Sequence, residues 1–497
     1  MGFVLGPAAM IAWYVAEPAE SLSPEAFRLA GILILTIIWW ISEPIPIAAT
    51  GLLAVVLCVV LGAVPVEPGK LDQARVAFAP FGSPTVFFLL GGMFIGRAMT
   101  RHGLDRRMAL AILATRWATM SGTTLLAAIG LSSIVLSMWI SNTAATAMIC
   151  PVVLGMISVL GAGMGDDAES FSRSRYASAL LLMLAYASSA GGIATPIGTT
   201  TNVVAMGYFR TDEYFGRPID FGRWAVVGLP MAVSLGLALL VWLRLFAPTG
   251  KLDLPALRQH LRGERAKLSR WTIGQYNTLV VFLTVVTLWV APSVLLLIGL
   301  DEQSEWMRAH FPEPVVAMMA PVMFFLLPVD WKARRFSLEI DDLARIDWGT
   351  MLLFGSGLAL GNLMFQTGLA HAIGQSAFDW LNTDDVWAIT ALAIAGGLIL
   401  SEFTSNAATA AALIPVVAAI CGEAEIDMVA PLMGVTFAAS FGSALPVSTP
   451  PNAIVYGSGL IPTRRMILAG VGFDICCGVV IWCVLRAAIG LGWSPLA

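Results

Sequence analysis

Long apolar runs follow one another along this chain, separated by short polar or proline- and glycine-rich breaks. A helix that crosses a bilayer needs about 20 mostly apolar residues. On that measure the pattern predicts membrane segments at 3–15, 27–43, 45–64, 84–101, 176–208, 223–246, 276–299, 313–328, 350–367, 428–459 and 466–493. The segments 176–208 and 428–459 are interrupted by TPIGTTTN and LPVSTPPN. Two further apolar stretches, 118–164 and 386–421, carry a Ser-Asn pair near the middle (Ser141-Asn142 and Ser405-Asn406). Each of these is either two spans or a hairpin that dips into the membrane and returns to the same side. The opening segment has no basic start and no small-residue cleavage pattern, so it reads as a short first membrane segment rather than a secretory signal.

Composition agrees that lipid is part of the solvent. The 497 residues are 58% hydrophobic and 12% charged, with a mean hydropathy of +0.82, whereas soluble proteins carry about 25% charged residues. A net charge of −4 argues against nucleic acid as a partner. The six cysteines are mostly inside apolar segments, and neither they nor the four histidines have metal-site or redox spacing. Nucleophile-elbow, zinc-hydrolase and phosphate-loop motifs are absent, so the sequence gives no support to an enzyme.

Loop charge decides between spans and hairpins, because lysine and arginine collect on the cytoplasmic side. Arg244, Lys251, Arg258, Arg262, Arg265, Lys267 and Arg270 place the 247–275 linker inside. Asp301, Glu302, Glu305 and Glu313 place the 297–313 loop outside, and Lys332, Arg334, Arg335 and Arg345 place the next one inside. Both flanks of 386–421 are acidic (Asp379, Asp384 and Asp385 before; Glu423, Glu425 and Asp427 after), so that stretch enters and leaves from outside. Arg101, Arg106, Arg107 and Arg116 put the entry of 118–164 on the cytoplasmic side. One hairpin from each side is the signature of an inverted repeat.

Residues bear the repeat out. GMFIGRAMTRHGL at 92–104 resembles GLALGNLMFQTGL at 357–369, the two Ser-Asn pairs are each followed by Pro-Val-Val (Pro151, Pro415), and TPIGTTTN at 195–202 resembles LPVSTPPN at 445–452. The offset falls from 264 residues at the Ser-Asn pairs to 250 at the prolines, and the polar loop around Asp166–Arg175 accommodates the difference. Five spans per copy is an odd number, so the second copy runs opposite to the first. The expected organisation is a first segment and external loop at 1–26, a first repeat at 27–246, the basic linker at 247–275 and a second repeat at 276–497.

Ser and Asn are N-cap residues, and each pair precedes an apolar helical run. Two hairpin tips that point free N–H groups and positive helix ends at the membrane centre would make an anion site without a buried cationic side chain. Small polar caps can also serve helix packing alone; duplication at matching places favours the functional reading. The proline- and glycine-rich breaks free backbone carbonyls. Such backbone is tolerated at membrane depth only where it is buried in protein or lines a cavity, and hard carbonyl oxygens suit a small hard cation. An ordinary proline kink is the plainer alternative, weakened by the duplication and by Asn202 and Asn452 after each break. Glu402, beside the second tip, reads either as a coupling group or as a structural hydrogen-bonder. Arg97 and Asp474 are expected near segment ends, snorkelling or paired, and Trp39, Trp40 and Trp242 as interfacial anchors.

The Ser-Asn-Thr tip, the Gly-Thr-x-x-Asn break and LPVSTPPNAIVYGSG at 445–459 together resemble the divalent-anion/sodium symporter family over residues 3–493. Members carry succinate, malate, fumarate, citrate or sulfate. The resemblance implies an all-α polytopic membrane protein of about 11 transmembrane helices plus two re-entrant hairpins, a homodimer in the inner membrane with a cytoplasmic N-terminus, and scaffold and transport domains working as an elevator. It implies sodium ions as coupling ions and no other cofactor. By motif position one sodium falls to Ser137, Ser141, Asn142 and the Gly198 backbone, and a second to Ser401, Thr404, Asn406 and the Ser448 backbone. Substrate carboxylates fall to Asn142, Thr143, Thr199, Asn406, Thr449 and Pro450. Two departures stand out: Ala407 replaces a threonine and so removes a hydroxyl, and Thr200-Thr201 replace the family's usual Pro-Pro and add hydroxyls, a redistribution that bears on which anion is carried. The expectation is sodium-coupled symport of a C4 dicarboxylate, with an exchanger or a sulfate permease of the same fold as alternatives.

Overall fold

Hydrocarbon offers no hydrogen bonds, so each run must satisfy its own backbone, and the helix does this within one segment. The computed structural model describes residues 2–16, 22–65, 72–163, 168–210, 219–248, 252–268 and 270–493. Among these the chain is helical apart from loops and one antiparallel strand pair, Pro328–Asp330 with Arg335–Phe336. Lys251 and residues 164–167 of the expected insertion loop lie outside the described residues.

The helices Gly2–Val15, Pro24–Ser42, Ile47–Val60, Pro84–His102, Phe221–Phe246, Ile273–Leu297, Glu313–Leu326, Trp348–Gln366 and Thr463–Gly490 follow the apolar runs closely. Eight described helices are long and apolar enough to cross a membrane, or up to ten if each of two bent pairs is one span. Gly2–Val15 and Ile47–Val60 are apolar but shorter than a full span. The protein is a multi-pass membrane protein.

The four interrupted stretches break where the polar motifs stand. Gly122–Ser137 and Asn142–Ala162 form one hairpin, and Val386–Ser401 and Asn406–Glu423 the other, with the two arms of each in contact. The broken helices are Arg175–Gly192 with Thr200–Arg210, and Val429–Ala438 with Pro450–Tyr456. The first arm of each hairpin packs on the broken helix of its own half. The second arm packs on the far piece of the other half's broken helix: Asn142–Ala162 on Pro450–Tyr456, and Asn406–Glu423 on Thr200–Arg210. Both tips and both breaks thereby meet in the interior.

The structure adds elements that the apolar runs did not indicate. Gly103 (φ 66°) and Gly368 (φ 80°) end their spans in the left-handed region, and the chain turns there into the amphipathic helices Leu104–Leu113 and Leu369–Leu381. These glycines close the two similar segments noted above. The basic linker contains the helix Leu254–Ala266, whose Arg258 donates to Thr119 Oγ1 (2.8 Å) and Thr119 O (3.1 Å) at the base of the first hairpin.

Charged and aromatic residues refine the sequence reading. Arg97 is paired, with Asp342 at 2.8 Å, and Arg101 joins Asp342 and Glu339. Asp474, by contrast, is in the middle of Thr463–Gly490 and not near its end. Trp39 and Trp40 are buried between helices, donating to Gly2 O (3.1 Å) and Ile47 O (3.3 Å), and Trp242 donates to Ala469 O (2.8 Å). Each indole thereby ties two helices together, its N–H paired with a backbone acceptor where water does not reach it.

A side chain at Gly103 or Gly368 would meet no atom within 4 Å, so only backbone strain opposes substitution. Gly103→Ala and Gly368→Ala should each cost about 1–2 kcal/mol, read as a lower unfolding temperature in detergent. Gly422→Ala, equally open but helical, should leave that temperature unchanged or raise it.

Candidate functional site

Each tip is built by local capping. Ser141 and Ser405 are extended N-caps whose Oγ atoms accept the N–H of Ala144 and Ala408, both at 3.2 Å. The following asparagine is thereby set as the first helical residue, with its side chain turned back to the end of the preceding arm. Ser137 Oγ donates to Asn142 Oδ1 at 2.6 Å, and Ser401 Oγ donates to Asn406 Oδ1 at 2.9 Å. The five-residue spacing is the same in both halves.

The breaks are stapled by the asparagines that follow them. Asn202 Nδ2 donates to Gly192 O (3.0 Å) and Thr195 O (2.8 Å); Asn452 Nδ2 donates to Gly442 O (2.8 Å) and Leu445 O (3.1 Å). Both asparagines are buried. Each one reaches the carbonyls ten and seven residues before it, so one amide replaces the two helical N–H donors that the break removes.

Tip and break then meet through glycines. A Cβ on Gly192 would stand 2.4 Å from Asn142 Oδ1, and one on Gly198 would stand 2.4 Å from Gly192 O and 3.0 Å from Ser137 O. In the other half a Cβ on Gly442 would stand 2.5 Å from Ser401 O. Asn142 Oδ1, Ser137 O and Gly192 O therefore crowd around Gly192 and Gly198 in one place, and Ser401 O, with Asn406 Oδ1 on the Ser401 hydroxyl, lies against Gly442 and Ser448 in a second. Gly192 and Gly442 were not singled out in the sequence, although both stand ten residues before the stapling asparagines. The halves differ in how the tip is held. Thr195 Oγ1 donates to Met138 O (2.5 Å) in the first; in the second, Ser448 Oγ reaches Glu402 O (3.0 Å) and Glu402 Oε2 (2.8 Å).

Glu402 makes structural hydrogen bonds. Its carboxylate accepts the N–H of Ala444 (2.8 Å) and Leu445 (3.1 Å) as well as the Ser448 hydroxyl, locking the second break to its tip. Asp474 turns its carboxyl toward Glu402 and the Ser443 N–H (3.4 Å). The two acids line an apolar cavity of about 660 Å³ together with Ile394, Leu398 and Trp482.

Other expected residues divide. Thr199 is half-buried, Thr143 and Pro450 are exposed at the helix starts, and Thr449 is a buried N-cap that accepts the Asn452 N–H. The hydroxyl of Ser141 accepts one bond as the cap and keeps its second lone pair for a ligand. Thr404 is not brought to the second oxygen cluster by its side chain: its Oγ1 donates to Trp40 O at 2.8 Å, tying the tip to Pro24–Ser42. Nor does Thr201 present its hydroxyl to a ligand. It is fully buried against Ser440. Thr200 and Ala407 are half-buried.

Helices start at Asn142, Thr200, Asn406 and Pro450 around these clusters, and none of the residues brought together there is a lysine, arginine or histidine. Hydroxyl, amide and carbonyl oxygens suit a small monovalent cation, while N–H groups and hydroxyls at helix starts suit an anion.

Comparison with known proteins is consistent with that chemistry. A family model described as the sodium:sulfate symporter transmembrane region matches residues 4–497. The chain is 30% identical over 478 residues to the sodium-dependent dicarboxylate transporter SdcS of Staphylococcus saprophyticus, covering 95% of this chain and 88% of that protein. It is 28% identical over 476 residues to the protein of the same name from Staphylococcus aureus, covering 95% and 87%. Among solved structures, the Alcanivorax borkumensis YdaH transporter superposes with a TM-score of 0.56 at 16% identity, covering 93% of this chain and 99% of that one.

Because Asn202 and Asn452 make the same pair of bonds, Asn202→Ala and Asn452→Ala should be alike in effect. Each leaves two buried carbonyls without their donor and should cost about 2–3 kcal/mol. Thermal unfolding in detergent measures this; an unshifted transition in either variant would mean the break is held by other contacts.

Proposed function

Since the chain belongs to the sodium:sulfate symporter family, we propose that it is a secondary active transporter carrying a C4 dicarboxylate such as succinate, malate or fumarate together with sodium ions. The observation that carries this reading is the pair of matched oxygen clusters, each made where a hairpin tip meets a broken helix. In it, one sodium takes Ser137, Ser141, Asn142 and the Gly198 backbone, and the other takes Ser401, Asn406, the Ser448 backbone and the backbone of Thr404. The anion lies between, against Asn142, Thr143, Thr199, Asn406, Thr449 and Pro450.

Electrostatics explains the coupling. Neutral oxygens leave the charge of sodium unbalanced, and a carboxylate about 5 Å away at an effective dielectric near 20 gains about 3 kcal/mol from it. One neutral hydrogen bond contributes only about 1 kcal/mol net, so the cations dominate recognition of a dianion. Asn142 and Asn406 belong to both sets and would sense both ions.

The same reading takes the two halves, 27–246 and 276–497, as inverted repeats after a first segment at 1–26, joined by a cytoplasmic linker at 247–275. Matching bonds at matching spacing support it. The hairpins and broken helices would be the core of a transport domain that moves as an elevator against a scaffold in a homodimer. Loop charges support an inner-membrane orientation with a cytoplasmic N-terminus.

Coupling between two ligands is reciprocal. Anion binding to purified protein should be at least about tenfold tighter in sodium than in choline, the equivalent of about 1.4 kcal/mol or more; equal affinity in both buffers would sink the symport reading. Asn142→Ala and Asn406→Ala should each weaken anion affinity about tenfold, for a loss of about 1–3 kcal/mol. Ser132→Ala, whose hydroxyl only bonds Ala128 O (2.8 Å) within its own helix, is the matched control.

Selectivity is tested at residue 407. Restoring a hydroxyl by Ala407→Thr should move competition between succinate and sulfate toward succinate, by about 0.5–1.5 kcal/mol. An unchanged ratio with transport intact would show that residue 407 does not face the substrate.

A further inference from the structure

Thr201 is the second residue of the helix Thr200–Arg210, just past the first break, and its side chain has no exposure. Its hydroxyl is 2.6 Å from Ser440 Oγ, in the second break, and donates to Thr199 Oγ1 at 3.5 Å. Ser440 is equally buried, and its carbonyl accepts Asn406 Nδ2 at 3.0 Å. A polar chain thus runs from Thr199 through Thr201 and Ser440 to the second tip, crossing between the two halves.

A hydroxyl has one proton to donate and two lone pairs to accept with. In the 2.6 Å contact either hydroxyl can be the donor; the farther acceptors are Thr199 Oγ1 at 3.5 Å for Thr201 and Thr436 O at 3.4 Å for Ser440. Whichever donates, the short bond is the strongest of the chain and ties the start of the helix Thr200–Arg210 to the second break. Thr199, two residues before Thr201, is only half-buried.

We propose that Thr201 is a positioning residue for anion binding: bonded to Ser440 across the two halves, its buried hydroxyl fixes the start of the helix Thr200–Arg210 and with it the place of the half-buried Thr199 hydroxyl beside the substrate carboxylate. This rests on the reading of Thr199 as an anion ligand. Thr201 itself touches no substrate. The hydroxyls that the 200–201 pair adds to the break serve the ligand indirectly through it, and not by enlarging the polar lining.

The test is transport of labelled succinate into proteoliposomes at saturating sodium, with thermal unfolding measured in parallel. Thr201→Val, of nearly the same shape, should raise the KM for succinate about threefold to tenfold, with maximal rate and sodium half-activation unchanged. Thr201→Ser should restore the KM, and Ser440→Ala should reproduce the effect of Thr201→Val. The double variant should be no worse than the poorer single one, since both cut the same chain. If Thr201→Val does not fold, Thr201→Ala takes its place in the same comparisons. A wild-type KM in a folded Thr201→Val protein, or additive losses in the double variant, would overturn the proposal. If Thr201→Val is silent while Asn142→Ala weakens succinate, the positioning role alone fails; if both are silent, the transport reading of the site fails with it.

Discussion

Two helices broken inside hydrocarbon impose one demand on everything around them: each backbone group that loses its helical partner must find another within the protein. In this molecule the demand is met mainly by side chains of fixed type. Asn202 and Asn452 each cover two carbonyls, Thr195 and Ser448 hold the ends of the hairpin arms, and Glu402 gathers two N–H groups of the second break. Tyr186 donates to Ser443 O and Trp224 to Ile193 O. The arrangement is over-determined, and that is what lets irregular backbone persist at this depth.

Function follows from the groups this network leaves over. Once the stapling bonds are made, Ser137, Ser401, Asn142 and Asn406 turn their oxygens to two places where glycines allow backbone to approach closely. A cation there would be bound by neutral dipoles, and its charge would remain available to an anion next to it. Coupling in this picture needs no titrating side chain. It needs only that cation and anion share ligands, which the position of an asparagine at the first turn of each hairpin helix allows.

The halves are alike in plan but unlike in reinforcement. The first tip is held by a neutral hydroxyl on Met138 O, and the second by a carboxylate that also bonds Ala444, Leu445 and Ser448. The first break carries Thr201, the second Pro451 at the matching place. Such asymmetry is expected when two copies of one motif enclose a ligand that is not itself symmetric with respect to them.

Most of the architecture was legible in the chain because its determinants are local. A serine caps the helix that begins at the next residue, and a proline or glycine breaks the helix that contains it. Hence the placement of spans, tips and breaks agrees with the apolar pattern, and the Ser-Asn pairs are where helices begin. What only the tertiary structure decided are bonds between residues far apart in sequence. Thr404 bonds Trp40, Thr201 bonds Ser440, Asp474 faces Glu402, and the tryptophans turn inward to backbone acceptors. Which neighbour a hydroxyl or indole meets depends on which face of its helix packs against which other helix. Periodicity cannot supply that when, as here, several helices are apolar on every side and the few polar atoms pair across elements rather than along them.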